Sequence, residues 1–367
     1  VSSGAPTDPL ADLRGRIDAL DAELMRVLSE RARTVEEVGA LKRAHGLPVY
    51  VPHREREVIE RALGRNTGPL PARTVEAIYR ELMSGSFALE LPPRIAFLGP
   101  PGTFSHQAAV RHFGSSVEYA ELRDIDAVFR EVAARRCTYA VVPYENSIGG
   151  SIHETLDAFL EHPVCACAEA LVEVSQALLA NCAPAEIEVV YSKAEAFGQC
   201  RRWLGDRLPN ARLVPVESTA AAVQRVAAEG SGSRAGAIAS ALAGQIYGVN
   251  VLFDRIADRA GNITRFLVIG PESARPTGDD KTSVAFTTAH RPGALVEVLA
   301  AFHRNGVNLS HIEKRPSRQE NWQYTFFVDC DAHASTPQMA RAMADAGEHC
   351  VWIRALGSYP RAVRVAG

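Results

Sequence analysis

The chain contains no run of about 18 consecutive apolar residues, so nothing in it reads as a membrane span. Its first residues, VSSGAPTDPL, lack a basic stretch followed by an apolar one, and the expectation is a cytosolic protein. Charge of one sign is scarce as well. A formal net charge of -3 over 367 residues, well mixed, gives no electrostatic case for nucleic acid or a membrane as partner. The cysteines number seven, at 137, 165, 167, 182, 200, 330 and 350. An odd, scattered set with one C-x-C and no second ligand pair reads as reduced core residues, with neither a metal nor a cofactor expected. The length suggests two or three domains.

The first forty-five residues carry one long amphipathic pattern. Counted in sevens, Leu10, Ile17, Leu24 and Val38 share one position with Arg31, while Leu13, Leu20, Val27 and Leu41 share the other with Thr34. Arg31 therefore falls where a leucine belongs, and Arg14 and Lys42 flank the same seam. Carboxylates across a bundle could satisfy each cation, but three along one side favour a pocket for a dianion. At 1.5 Å per residue, Arg14 and Arg31 are roughly 25 Å apart and Arg31 and Lys42 roughly 16 Å. One small ligand cannot span the first pair. Antiparallel pairing of two chains would bring Arg14 of one to Arg31 and Lys42 of the other, an obligate dimer with shared sites. Asp8 and Pro9 can open this helix, and Gly46 and Pro48 can stop it. A second helix near Pro52 carries Arg54 and Glu55. A third turns Val75, Ile78, Tyr79 and Leu82 inward and continues that stripe through Ser86 and Glu90.

From Arg94 the pattern becomes short apolar strands alternating with helices, an α/β segment of about 180 residues. Three loops stand out. In GPPGTFSHQAA, Thr103 and Ser105 precede a helix whose backbone N–H groups could receive a carboxylate. In PYENSIGGSIHETLD, Glu145, Asn146 and Ser147 end a strand, and Ser151 with Glu154 makes a capping box. In GNITRFLVIG, Thr264, Arg265 and Phe266 enter the last strand; the Asn262 sequon has no meaning without secretion. Residues 281 to about 360 read strand-helix-strand-strand-helix-strand, a βαββαβ module in which Gly293 permits close backbone approach before a helix N-terminus.

The helices LADLRGRIDALDAELMRVLSERARTVEEVGALK and HRERE resemble the all-helical chorismate mutase family. The resemblance implies that Arg14 of a partner chain, Arg31 and Arg54 hold the two carboxylates of chorismate. Lys42 and Glu90 would flank its ether oxygen, Glu55 would take the hydroxyl and Ser86 would assist a carboxylate. Such chemistry needs no nucleophile, only a compact conformer and stabilised charge on the breaking C–O bond. Val51 stands where some relatives carry Asp, and Glu90 where some carry Gln. A carboxyl donates to the ether oxygen only when protonated, so mutase activity is expected to fall as Glu90 ionises.

The α/β segment is similar to the prephenate dehydratase family, which implies a two-lobed architecture like periplasmic binding proteins, the second lobe running from about 172 to 255. Its cleft would contain Thr103, Ser105, Glu145, Asn146, Ser147, Ser192, Gln199, Ser218, Thr219, Thr264, Arg265 and Phe266. Lys193-Ala194-Glu195 replaces a run that is often His-Pro-Gln. Thr264 is the candidate donor to the departing hydroxyl, directly or through a relay, and Glu145 either orients that network or is the acid if burial raises its pKa.

RPGALVEVL and NLSHIEKRPS resemble the ACT domain, which implies a phenylalanine site built on Gly293, Ala294, Leu295, Asn308, Leu309 and Glu313-Lys314-Arg315-Pro316, usually between two chains. Lys314 departs from the usual Ser. Together the order resembles bifunctional chorismate mutase/prephenate dehydratases: an all-α mutase bundle (1–92), an α/β two-lobed dehydratase (93–273) and an α+β ACT domain (279–362), as a homodimer or dimer of dimers. The rivals are a non-catalytic amino-acid sensor and a dehydratase preferring arogenate.

Overall fold

The computed structural model describes residues 9–45, 52–90, 92–230, 232–316 and 323–362, apart from the side chains of Pro9, Pro52, His53, Glu55 and Arg56. The expected caps at Asp8, Gly46 and Pro48, and Val51, lie outside the described residues, as does the side chain of Glu55.

Three helices come first: α1 (Pro9–His45), α2 (Pro52–Arg65) and α3 (Ala72–Glu90). The face that α1 turns toward α3 is not its large apolar stripe. Leu28, Arg31, Ala32, Val35, Gly39 and Lys42 are the partly or fully buried positions, at helical spacing. Small residues let the helices approach closely: a Cβ on Gly39 would lie 2.9 Å from the Glu90 Cα. Leu10, Leu13, Ile17, Leu20, Leu24, Val27, Val38 and Leu41 remain 40–69 % exposed. Ile78 also stays 47 % exposed, while Val75, Met83, Ser84, Ser86 and Glu90 form the buried face of α3.

The α/β region follows with β1 (Arg94–Leu98), α4 (Phe104–Phe113), β2 (Glu118–Leu122), α5 (Ile125–Ala133), β3 (Tyr139–Asn146), β4 (Gly150–Ser151), α6 (His153–Glu161) and β5 (Cys165–Glu173). A second lobe contains β6 (Ala177–Ala180), β7 (Val189–Ser192), α7 (Ala194–Gln199), α8 (Arg201–Arg207), β8 (Arg212–Pro215), α9 (Thr219–Glu229), β9 (Ala235–Ala239), α10 (Ala241–Tyr247) and β10 (Val251–Phe253). The chain then returns as β11 (Ile263–Gly270) to the first sheet, ordered β2-β1-β3-β11-β5, whereas the second sheet is β10-β6-β9-β7-β8. Two crossings join the lobes, tied by Val174 N–H to the Asn262 carbonyl and Ile256 N–H to the Gln176 carbonyl.

The last module is β12 (Asp280–Thr288), α11 (Ala294–Arg304), β13 (Leu309–Pro316), β14 (Tyr324–Cys330), α12 (Pro337–Gly347) and β15 (Cys350–Pro360), with sheet order β13-β14-β12-β15. The sequence order βαββαβ is the observed one. Its sheet lies against the dehydratase-like sheet: Ala285, Phe327, Leu356 and Tyr359 share one apolar core with Val142, Tyr144, Leu156, Phe159 and Leu267. At Gly357, φ is +150° and a Cβ would fall 2.1 Å from the Ala166 carbonyl oxygen, so backbone packs on backbone there. All seven cysteines are free thiols.

Candidate functional site

In the helical region α1 and α3 bring four of the expected residues together. Lys42 Nζ lies 2.6 Å from Glu90 Oε2, and Arg31 Nη1 donates to the Ser86 hydroxyl at 2.7 Å. Ser86 in turn donates to the Leu82 carbonyl, and Arg31 reaches the same oxygen at 3.4 Å. Among the described residues Arg31 makes no ion pair. It is a half-buried cation satisfied by neutral oxygens, a state that leaves room for an anion. Arg14 is exposed at the far end of α1, and Arg54 pairs with Glu57 of its own helix at 2.8 Å on the surface. Neither is joined to the Arg31 group within one chain.

In the two-lobed region the tightest cluster forms where β3 and β11 pair, with Thr264 opposite Asn146 and Arg265 opposite Glu145. The Asn146 side-chain oxygen accepts from the Ile148 and Gly149 N–H groups at 3.0 and 2.9 Å, which fixes its amide orientation. Its Nδ2 then donates to Thr264 Oγ1 at 2.9 Å and Asn262 Oδ1 at 2.7 Å. Thr264 Oγ1 accepts this bond, and among the described residues no acceptor takes its own O–H proton, which can therefore serve a ligand. Ser147 binds the chain across the gap, its hydroxyl accepting from Ile263 N–H at 3.0 Å. Nearby His311 holds the Glu145 carboxyl below the usual carboxylate range, against the opposing effect of its burial. The neighbouring His311 thus favours the carboxylate form of Glu145, which suits the orienting role better than that of the acid.

Parallel strands deliver their chain ends to the same edge. After β1, Thr103 caps α4; after β8, Ser218 caps α9 by accepting from Ala221 N–H; after β9, Ser240 caps α10. Open α/β sheets bind ligands at such carboxyl ends. The two edges touch, since Ser240 donates to the Gly102 carbonyl at 2.8 Å and Tyr247 to the Pro101 carbonyl at 2.7 Å. Ser105 is buried in the first turn of α4, and Thr219 begins α9. Gln199 accepts from Gln176 Nε2 at 3.1 Å. Of the backbone N–H groups in the GPPGTFSHQAA loop, that of Gly102 is engaged by His106 Nδ1 at 3.1 Å.

Several expectations change. Arg265 does not reach the lobes' shared edge. It is buried toward the last module, donating to Glu169 at 2.7 Å, to the Tyr359 hydroxyl at 2.8 Å and to Asp329, with Glu145 at 3.6 Å. Phe266 is 1 % exposed and packs in the apolar core with Ile95, Phe97 and Val141. Ser192 is fully buried and donates inward to the Ile238 carbonyl at 2.7 Å. The Ser151 capping box does not form: Ser151 pairs with Glu145 in β4, and α6 starts at an Ile152 cap with no side-chain bond. Sequence reasoning missed Asn262, Ser240 and His311. Asn262 is only 3 % exposed and sits in the same GNITR motif that flagged Thr264, so its adjacency was the available signal.

In the last module a cavity of ≈ 210 Å³ is lined by Gly293, Ala294 and Leu295 together with His290, Arg291, Tyr324 and Phe326. Gly293 has φ +81° as the cap of α11, and a Cβ there would meet nothing closer than 3.8 Å; its conformation, not close approach, calls for glycine. Asn308, Leu309, Glu313 and Pro316 do not line this cavity. Asn308 donates to Asp331, Arg315 grips Asp157 of α6 with two bonds, and Lys314 lies over the Tyr324 ring at 5.2 Å. Among the described residues one group could share a metal, Asp126, Glu161 and His162, but Asp126 is already bonded to His162 and Arg130. No described helix is long and apolar enough to cross a membrane.

Known proteins match each region in turn. The chorismate mutase type II family model matches residues 13–91, prephenate dehydratase 95–274 and the ACT domain 282–348. A bifunctional chorismate mutase/prephenate dehydratase from Stutzerimonas stutzeri is 43 % identical over 97 % of this chain and 99 % of its own; one from Aquifex aeolicus is 41 % identical over the same shares. The crystal structure of a prephenate dehydratase from Arthrobacter aurescens in complex with L-Phe matches with a TM-score of 0.68 at 34 % identity, covering 73 % of this chain and 90 % of that one. The three regions thus match the three families in this order along the chain, and the chain belongs to the bifunctional chorismate mutase/prephenate dehydratase family.

Proposed function

We propose that this chain converts chorismate to prephenate in its helical domain and prephenate to phenylpyruvate in its two-lobed domain, with L-phenylalanine as feedback inhibitor. The observation that carries the second step is Thr264, whose oxygen accepts from Asn146 and whose hydroxyl proton has no acceptor among the described residues. Loss of the ring carboxylate as CO2 pushes its bonding pair into the ring, and the hydroxyl on the opposite carbon leaves. Thr264 hands that oxygen a proton, regained from solvent, so the products are phenylpyruvate, CO2 and water. Glu145, charged, orients the strand pair and does not donate.

For the first step, Arg31 supplies an uncompensated cation beside Ser86, and the Lys42–Glu90 pair supplies polar groups for the ether oxygen. The exposed seam of α1 supports an antiparallel homodimer in which the partner's Arg14 completes the site. Eight half-exposed aliphatic side chains would each contribute roughly 1 kcal/mol when covered. The cavity at Gly293–Leu295 is the regulatory half-site, which Asn308 and Leu309 of a second chain would complete.

The test is the purified protein fed chorismate alone, following chorismate loss and phenylpyruvate formation with and without L-phenylalanine. Phenylpyruvate suppressed by phenylalanine is expected. Accumulating prephenate would leave the dehydratase assignment needing another substrate, with arogenate next, and untouched chorismate and prephenate would bring forward a sensor.

A further inference from the structure

Strand β13 alternates between half-buried and exposed residues along its whole length. The residues on its inner face include His311 and Arg315, and both leave the ACT domain to bind the dehydratase domain. Arg315 holds Asp157 of α6. His311 does something more specific. Its Nδ1 lies 3.6 Å from Glu145 Oε1 and its Nε2 lies 3.3 Å from the Ser151 hydroxyl. Glu145 is the penultimate residue of β3, Ser151 ends β4, and they face each other as a strand pair. Between them runs the turn that begins at Asn146, the residue that orients Thr264. One imidazole therefore spans both sides of the turn.

We propose that His311, a residue of the regulatory domain, is a positioning residue for the dehydratase, clamping the β3–β4 turn so that Asn146 holds Thr264 in register. The proposal rests on the reading of Asn146 and Thr264 as the dehydratase site. The imidazolium is the clamping form, because it has an N–H for the carboxylate and another for the hydroxyl, whereas neutral imidazole has one donor and no charge. The groups facing the ring are Glu145 and Tyr144 of β3, Ser151 of β4, Arg265 of β11 and Asp329 of β14. Burial works against the imidazolium and Arg265 repels it, but Glu145 and Asp329 outweigh both and raise its pKa above the ordinary value. Loss of the proton at higher pH releases the turn.

The experiment measures kcat and KM for prephenate from pH 6 to 9 on the full-length protein and its His311→Leu, His311→Arg, Glu145→Gln and Asn146→Ala variants, with mutase turnover and thermal unfolding as checks of the fold. His311→Leu is expected to lower kcat roughly 10- to 100-fold with little change in KM, through misplacement of the catalytic turn. The wild type should lose kcat on an alkaline limb that His311→Arg, permanently charged and with a fork of donors, abolishes while keeping most of the activity. A wild-type profile without that limb, or variants at 311 that keep the wild-type kcat and profile, overturns the proposal, and the wild-type profile decides even where His311→Leu fails to fold. Reduced turnover in Glu145→Gln with silent His311 variants overturns the clamp alone. Unchanged turnover in Glu145→Gln overturns the clamp, whereas unchanged turnover in Asn146→Ala removes the reading of this turn as the site, and the clamp with it.

Discussion

Arg31 and Arg265 are both arginines set among apolar neighbours, and they are satisfied in opposite ways. Arg31 is bonded to a hydroxyl and a carbonyl and carries no described ion pair, whereas Arg265 lies among Glu169, Asp329 and Glu145 with Tyr359 closing the last donor. Arg265 also stands over the Tyr144 ring, 4.9 Å from its centroid. The first cation has capacity left for a ligand; the second is saturated by its own protein. Arg31 is thus the guanidinium with bonding capacity to spare, while the donors of Arg265, beside Thr264 in sequence, are taken up within the protein.

The comparison can be broken by substitution. The largest effect belongs to neither arginine but to the group between them in function: Thr264→Ala should lower dehydratase turnover by roughly 10³-fold and leave mutase turnover intact, measured on prephenate and chorismate separately. Arg265→Met should instead destabilise, because Glu169 and Asp329 lose their buried partner, by about 3–5 kcal/mol in denaturant unfolding of the dehydratase and ACT regions. Arg31→Met should cost mutase turnover on the order of 10²-fold with the unfolding midpoint nearly unmoved. If Arg31→Met unfolds the protein, or Arg265→Met leaves stability alone while abolishing activity, the two cations have been assigned the wrong way round.

A smaller effect concerns pH. Glu145 has a folded pKa below its ordinary 4.5, so its contribution to stability is present above that value and is lost as pH falls through the folded one. His311 has a folded pKa above 6.5, so its contribution is full below 6.5 and is lost as pH rises through the folded value. The contact between the domains should be strongest between these limits. The gap in thermal midpoint between wild type and His311→Leu should therefore narrow from pH 6 to pH 9, and a gap independent of pH would count against the ion pair. Smallest of all, Arg26→Ala removes an exposed pair with Glu23 and Glu30 and should leave stability and both activities at wild-type levels.

The order of elements was legible in the sequence because each domain has a distinct apolar period, 3.5 along α1, short strands from Arg94 and βαββαβ after Thr282. The mutase cluster was legible in part for the same reason, as Arg31 interrupts the pattern and Lys42 flanks it. What a pattern cannot tell is which side of a strand meets another domain. Arg265, Phe266 and Ser192 were read as cleft residues, but the structure turns Arg265 to Glu169 and Asp329, Phe266 into the apolar core and Ser192 to the Ile238 carbonyl. The long apolar seam of α1 was read as pairing with a second chain, and within one chain it faces outward while Ala32 and Gly39 lie on the side turned to α3. His311 stayed hidden because its partners, Glu145 and Ser151, are 160 or more residues away in sequence.

Gly357 has a consequence for how such a chain could be recombined. The family matches end at residue 274 and resume at 282, as though the regulatory unit were a detachable cassette. Yet Gly357 lays bare main chain on Ala166, and the same apolar mass contains Phe327 and Tyr359 from one side and Leu156 and Phe159 from the other. A foreign regulatory unit with any side chain at that glycine would be held off the dehydratase sheet by a methyl group. Regulation here is tied to a surface fit, and a regulatory unit grafted from elsewhere would need glycine at this position to seat on the dehydratase sheet.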